Sequence, residues 1–388
     1  MWKNIASTFL TLAIAILIAV AVAIAWGKSQ YSGAGPSQVA QCVQIPAGAS
    51  LSAVSKQLEE QGAVSSAYIF RTGADAAGKS RDLKFGSYLV PAGSSMEDIV
   101  AVITAGGPSS CGTEVIYRIG VRGDTVLLRD IDPETGTYEE RVKYDPAIEE
   151  MPEAIAQAEQ KRDARLRIAV AEGVTSWQIV EGLKRAGFLS GDISNIPAEG
   201  TLAPDSYEVS KGTDRAEIIA EMERRQADIL AAAWEARPFG LPYKTPEEAL
   251  IMASIVEKET GVPDERAQVA SVFVNRLADG MRLETDPTVI YGVTEGKGIL
   301  GRGLRRSELD KKTDWNTYKI DGLPKTPIAN PGKAAINAAL NPAETDYLFF
   351  VADGTGGHQF SRTLEEHNAA VTRWREIEAS GGEPSTGG

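Results

Sequence analysis

The sequence predicts an α+β protein fixed to a membrane by one N-terminal helix. Three features carry that expectation: a continuous apolar run at the start, a strand–glycine–helix unit that recurs through the first half, and a second half of long amphipathic helices closed by a short hairpin. With 43% hydrophobic and 24% charged residues, the 388-residue chain has an ordinary globular composition; at about 100–200 residues per domain it suits two or three domains. Lys and Arg number 40 against 53 Asp and Glu, and the resulting charge of −13 argues against a surface built for nucleic-acid backbones. Two His and two Cys exclude iron–sulfur ligation and argue against a multi-ligand metal site, so neither metal nor cofactor is expected.

Residues 1–4 read as a cytoplasmic N-terminus and residues 5–26 as the membrane anchor. Ile5 to Trp26 is apolar apart from Ser7, Thr8, Thr11 and small residues, about the 20 residues that cross a bilayer as a helix. Lys3 ahead of it favours a cytoplasmic start, and Trp26 suits the headgroup level. The rival is a cleaved signal peptide, since Ala19-Val20-Ala21 and Ala23-Ile24-Ala25 have the small-x-small form. On either reading the remainder lies outside the cytoplasm, and the expected location is the inner membrane, single-pass, with the body in the periplasm. Residues 27–41 form the linker, in which Gln30 to Gln41, rich in Ser and Gly, reads as a flexible tether. Cys42 and Cys111 then fall in an oxidising space at the two flanks of one module. A disulfide between them is expected, two free thiols being the alternative.

The recurring unit occurs as Ile45-Pro46-Ala47-Gly48-Ala49-Ser50, as Val90-Pro91-Ala92-Gly93-Ser94-Ser95 and as Val170-Ala171-Glu172-Gly173-Val174-Thr175. Two residues after each glycine stands a hydroxyl residue, six after it Val54, Ile99 or Ile179, ten after it Leu58, Ile103 or Leu183, and fourteen after it Gly62, Gly107 or Gly187. The pattern reads as strand, glycine turn, Ser or Thr N-cap, one amphipathic helix and a glycine C-cap, with Thr175 and Gln178 fitting a capping box. Such units cannot bury a core alone, so they should pack on each other or on the second half, as plain scaffold or as a glycan-binding module. Residues 113–166 read as a charged insertion. Val115–Ile119, Thr125–Ile131 and Tyr138–Tyr144 alternate like strands about a turn at 132–136, and Ala147–Arg165 reads as a solvated helix. Residues 167–243 join these to the last domain, 244–380.

In the second half Thr213–Trp234 reads as a long amphipathic helix. Thr245 caps the next, with Pro246 at its first position, and Gly261 ends it after Glu259. Glu259 follows Met252, Ile255 and Val256 at helical spacing and prolongs the apolar stripe; Glu257 stacks over Ser254 and Ala253, a more ordinary flank. A carboxyl group at the end of such a stripe is desolvated, its pKa should rise, and that suits a general acid near neutral pH. A helix-end glutamate bent into solvent is the plainer alternative. Asp346–Ala352, a turn at Asp353–Gly357 and a return at His358–Ser361 form a hairpin, Thr363–Ala379 a helix capped by Thr363 and Glu366, and 381–388 a disordered tail.

Met252-Ala253-Ser254-Ile255-Val256-Glu257-Lys258-Glu259-Thr260 resembles the signature of the endolytic murein transglycosylases, the YceG-like or MltG family. The likeness continues through Val269–Leu277, Gly280–Gly292, Trp315–Tyr318, Gly322-Leu323-Pro324, Ile328–Gly332, Tyr347–Gly354, Gly356–Ser361 and His367-Asn368. It implies a LysM-like α/β module at 42–112, carrying the hairpin–helix segment 113–166 as an insertion, and an α+β catalytic domain at 244–380. The cysteine pair, the insertion and Trp315 in place of a tyrosine depart from the family's pattern. The implied activity is lytic transglycosylation of nascent peptidoglycan strands, a carbon–oxygen lyase reaction that leaves 1,6-anhydroMurNAc ends, with Glu259 as general acid and then base. Candidate sugar contacts are Asp286, Asn316, Asn330, His358, Tyr291, Tyr318 and Phe360. Asp286 before Pro287 could instead cap a helix, Asn330 before Pro331 could be an N-cap, and His358 could be a satisfied strand residue. The partners implied are glycan strands, the membrane and peptidoglycan synthases. The rival functions are a silent peptidoglycan-binding scaffold and a hydrolase giving reducing ends.

Overall fold

The computed structural model describes residues 2–46, 48–106, 110–132, 135, 137–160 and 164–379. Gly107, the tail at 381–388 and most of the turn expected at 132–136 lie outside the described residues. Helix α1 (Trp2–Ser32) is the apolar run; its stretch Leu10–Ser32 is long and apolar enough to cross a membrane, and none of it is buried. The chain divides into two compact units, residues 1–115, 127–143 and 152–165 in one and 116–126, 144–151 and 166 onward in the other.

In the first unit β1 (Gln41–Ile45), α2 (Leu51–Glu60), α3 (Ala67–Ala76), β2 (Gly86–Val90) and α4 (Met96–Ala105) follow in order. β1 and β2 pair antiparallel, from Gln41 opposite Val90 to Ile45 opposite Gly86, so the strands of the first two repeat copies complete one small sheet. Val43, Val54, Leu58, Phe70, Ile99 and Ile103 fill the core beneath it. Ser50 caps α2 and Ser95 with Asp98 forms a capping box on α4. Cys42 and Cys111 are joined by a disulfide with 5.7 Å between their Cα atoms.

The expected flexible tether is instead pinned. α1 runs on to Ser32, Gly35 N–H donates to Gly93 O (3.1 Å), and Gly93 N–H donates to Ser37 O (2.8 Å). The Tyr31 ring lies on Gly73 of α3 so closely that an added Cβ would meet it at 2.2 Å. Ser and Gly composition suggested freedom; the glycines serve close backbone approach.

Strands β3 (Glu114–Ile119), β4 (Asp124–Ile131), β5 (Tyr138–Tyr144), β6 (Arg165–Val170) and β7 (Ser206–Val209) form a sheet in the order β5-β4-β3-β6-β7. The helix expected over 147–165 shrinks to α5 (Glu153–Ala158): Pro152 sets its start, and Arg165 already opens β6, whose residues alternate in burial. Ile155 and Ala158 are buried, so α5 is not the solvated helix that its charge suggested. α6 (Ser176–Arg185) follows β6 with the expected Thr175–Gln178 capping box, but Ala186 ends it in extended conformation and Gly187 is not a left-handed cap.

The second unit continues with α7 (Arg215–Ala236), capped by Asp214, α8 (Pro246–Glu259), a 3-10 turn at Pro263–Glu265, α9 (Arg266–Ala278), α10 (Asp286–Thr294), α11 (Arg306–Asp310) and α12 (Lys333–Leu340). Last come the hairpin β8 (Phe349–Ala352) and β9 (His358–Ser361), with Phe349 opposite Ser361, and α13 (Leu364–Ala379). α8 is buried without interruption from Ala249 to Val256, packed between α9 and α12. It is therefore an all-round core helix rather than one with a single apolar stripe.

Candidate active site

α8 begins under the Thr245 hydroxyl, which accepts the N–H of Glu248 (3.3 Å), and Pro246 suits its first turn. It stops at Glu259 because Thr260 turns extended and its hydroxyl accepts the N–H of Val262 (3.0 Å). The side chain of Glu259 thus leaves the last turn of a helix whose preceding residues are core. One carboxylate oxygen, Oε1, accepts a hydrogen bond from the Thr285 hydroxyl. Thr285 is itself locked. Its N–H donates to Thr317 Oγ1 (3.0 Å), its carbonyl accepts from Thr288 Oγ1 (2.7 Å), and the Thr288 and Thr317 hydroxyls meet at 2.8 Å. All three threonines are buried. The preceding Glu284 sits at φ +50°, a left-handed conformation that costs a non-glycine residue about 1–3 kcal/mol and tends to occur where function over-determines the backbone.

Burial pushes the Glu259 carboxyl above the ordinary carboxylate range, and the negative charge of Asp286 adds to the rise. The Thr285 hydrogen bond and the positive fields of His358 and Arg276 pull the other way without cancelling it. Asp286 Oδ1 accepts a hydrogen bond from the Tyr318 phenol (2.8 Å), and burial raises that phenol's pKa, so it stays a donor. His358 in β9 is held twice by Glu265: Nδ1 lies 2.7 Å from Oε2, and the backbone N–H donates to Oε1 (2.9 Å). Arg276 is fixed through carbonyls of Leu348 and Leu283, both at 2.7 Å. The structure therefore gathers Glu259, Asp286, Tyr318 and His358 of the expected residues into one electrostatic neighbourhood.

It does not place the others there. Asn316 is buried; its amide donates to the carbonyls of Glu308, Leu309 and Lys311 and accepts from Tyr318 N–H, so it ties a loop instead of facing a sugar. Asn330 is wholly buried and is not an N-cap, since Gly332 is the N-cap residue of α12. Its amide joins Leu202 N–H, Val174 O and Glu199. The Tyr291 hydroxyl donates to Glu199 (3.1 Å), and its ring leans on Trp315 at 5.8 Å. Phe360 stacks on Tyr347 at 5.6 Å and, with its ring 6.3 Å from that of His358, is the one of these that borders the neighbourhood. Asp286 stands in the first turn of α10, with Thr285 as the N-cap residue.

Several participants escaped the sequence reading. Thr285 and Thr317 carry no periodic signal, and Glu265 is marked only by its place in a 3-10 turn. Glu257 is not the ordinary flank expected. Burial raises its pKa as well, and its Oε2 accepts the N–H of Gly332 (3.0 Å). Its neighbour Lys258 reaches Gly173 O (3.5 Å) and is lowered by burial. Glu257 is thus spent on holding the start of α12, while among the described residues no protein donor reaches Glu259 Oε2. Among the described residues no group of three or more His, Cys, Asp or Glu forms a metal-holding arrangement. The chemistry available is proton transfer by one carboxyl group beside a second, hydrogen-bonded one.

A sequence profile described as the YceG-like family matches residues 43–127 and 129–373. The chain is 28% identical over 334 residues to a protein named endolytic murein transglycosylase from Bacillus subtilis strain 168, covering 86% of this chain and 84% of that one. It is 27% identical over 344 residues to one of the same name from Streptococcus pneumoniae serotype 2 strain D39, spanning 85% of this chain and 57% of the relative. A 2.6 Å crystal structure of a yceG-like protein from Listeria monocytogenes matches over 85% of this chain and 98% of that one, at 26% identity and a TM-score of 0.43.

Proposed function

The chain belongs to the YceG-like family, and from that membership and the setting of Glu259 we propose that it is an endolytic lytic transglycosylase of peptidoglycan. The observation that carries this reading is a carboxyl group on the last turn of a buried helix, raised in pKa by burial and steadied by a threonine hydroxyl. Protonated, Glu259 donates its proton to the glycosidic oxygen as the bond to the MurNAc anomeric carbon breaks, and GlcNAc leaves with its hydroxyl restored. The MurNAc ring takes on oxocarbenium-like positive charge, which the carboxylates of Glu259 and Asp286 offset. The Glu259 carboxylate then takes the proton of that sugar's own 6-hydroxyl while O6 bonds to the anomeric carbon. One proton leaves and one returns, no water is consumed, and the product ends in 1,6-anhydroMurNAc. Because the nucleophile belongs to the substrate, one essential carboxyl group is enough, where a paired-carboxylate glycosidase needs two. The Thr285 hydrogen bond favours the charged form and so supports the first, acidic half of the cycle, in which the carboxylate is produced.

Other features support a place at the membrane. An uncleaved α1 anchors the body on the extracytoplasmic side, where strands are polymerised, and internal cleavage there ends their growth. The β1-α2-α3-β2 order supports a LysM-like module that holds the strand, and polymerising synthases are the natural neighbours of such an enzyme. The test is product analysis on purified glycan strands. Glu259→Gln lowers turnover by about 10²–10⁴-fold, the usual weight of a general acid–base group. Mass spectrometry of the parent's products finds anhydro ends. Products one water heavier would make the enzyme a hydrolase, no products from the parent would make the protein a scaffold, and products unchanged in Glu259→Gln would remove Glu259 from the reaction.

A further inference from the structure

Between the β8–β9 hairpin and α13 lies a hollow of about 420 Å³ that the reaction above does not use. Its size falls within the range of ligand sites. One wall is the stacked pair Tyr347 and Phe360, with ring centroids 5.6 Å apart. Glu366, Ala369 and Arg373, which follow at helical spacing on α13, line the hollow as well, as does Arg362.

The charges of this hollow are unbalanced. The Glu366 carboxylate is turned to the start of α13, accepting the N–H groups of Arg362 (2.9 Å) and Thr363 (3.3 Å). Those bonds, helped by the Arg362 charge, hold that carboxylate below its ordinary range, while among the described residues neither the Arg362 nor the Arg373 guanidinium makes a close ion pair or side-chain hydrogen bond. On a chain of net charge −13 that works on an anionic polymer, two such arginines beside an aromatic wall oppose the overall field. Aromatic faces take the apolar face of a sugar ring, and guanidinium forks take carboxylates.

We propose that this hollow is a subsite for a carboxylate-bearing residue of the glycan strand, with the sugar on Tyr347 and Phe360 and its carboxylate on Arg362 and Arg373. The proposal rests on the peptidoglycan reading above and adds to it a contact away from the bond that is cut. The carboxylate has two sources in such a strand, the stem peptide and the lactyl group exposed when the peptide is removed.

The experiment measures binding of solubilised strands by the full chain in detergent, in the Glu259→Gln background so that nothing is cleaved. Strands are used intact, stripped of peptide by an amidase, and with every carboxylate capped as a methylamide. The parent binds carboxylated strands more tightly than capped ones, and the double change Arg362→Gln with Arg373→Gln removes that preference, a loss of about ten-fold for charge-assisted contacts. Phe360→Leu weakens carboxylated and capped strands alike. A preference kept only by intact strands assigns the stem peptide, and one that survives stripping assigns the lactyl group. If the double variant keeps the parent's preference, the hollow is not this subsite. If the parent binds none of the strands in any form, the functional reading itself fails and takes the subsite with it.

Discussion

The first and third copies of the repeated unit use one local code for different ends. Gly48 and Gly173 both turn left-handed, at φ +76° and +78°, and each is followed two residues later by a hydroxyl N-cap. A side chain added at Gly48 would meet nothing within 4 Å. One added at Gly173 would meet Glu257 Cγ and Lys258 Cδ, both at 3.6 Å. The N–H of Gly173 also donates to Asn330 O (3.0 Å), and the hydroxyl of Thr175 to Gly296 O (2.6 Å). The code sets the turn, the cap and the helix in both places. What the turn rests against leaves the first copy's turn free of neighbours and makes the third a brace on the helix that carries Glu259.

Leucine at each glycine breaks that comparison most sharply. Both substitutions force a side chain into left-handed backbone, costing about 1–2 kcal/mol at either site. At Gly48 the effect ends there: the melting temperature drops, and turnover of glycan strands is kept. At Gly173 the new side chain displaces Glu257 and Lys258 and shifts the end of α8. A misplacement of about 1 Å in catalytic geometry lowers turnover by roughly 10²-fold. Steady-state kinetics of the two variants side by side is the measurement, and equal turnover in both would remove the brace.

A smaller effect sharpens the same point at the carboxyl group. Thr285→Val deletes the hydroxyl bonded to Glu259, and Thr285→Ser keeps it. The lost hydrogen bond had favoured the carboxylate, so its removal pushes the Glu259 pKa further up. The alkaline limb of the pH–rate profile then moves to higher pH, while the maximal rate falls about ten-fold because a carboxyl group of higher pKa gives up its proton less readily. The serine variant keeps the parent's profile. A profile that stays put in both variants would detach Thr285 from the titration.

What was legible in the sequence was local. The hydroxyl caps, the capping boxes at Thr175 and Thr363 and the stop after Glu259 follow from residues within four positions of one another. What was not legible was long-range. Asn330 reads as a helix start beside Pro331, yet its amide is consumed by Val174 and Leu202, more than 120 residues away. Glu257 reads as a flank on a single-stripe helix; α12, packed on α8, makes it a half-buried hydrogen-bond acceptor. Periodicity reports which residues are apolar. It does not report how many sides of a helix will be covered.

The smallest expected effect sets two acidic side chains of the two units against each other through pH. Asp98, in the capping box of α4, is held below the ordinary aspartate range by hydrogen bonds from the Ser95 side chain and backbone. Its contribution to stability is present above the unfolded value of about 3.9 and is lost as pH falls through the lower folded value. Glu259 has the opposite sign. Its folded pKa is raised, so ionisation disfavours the fold; that penalty is absent below the unfolded value of about 4.3 and grows until pH passes the folded one. At pH 7, then, Asp98→Asn melts below the parent and Glu259→Gln a few degrees above it. At pH 3 the two differences shrink together, because both parent carboxyl groups move toward protonation. A Glu259→Gln protein that melted lower than the parent at pH 7 would mean that its carboxylate is stabilised by its surroundings rather than desolvated. The proton it must give to a glycosidic oxygen would then be absent at neutral pH.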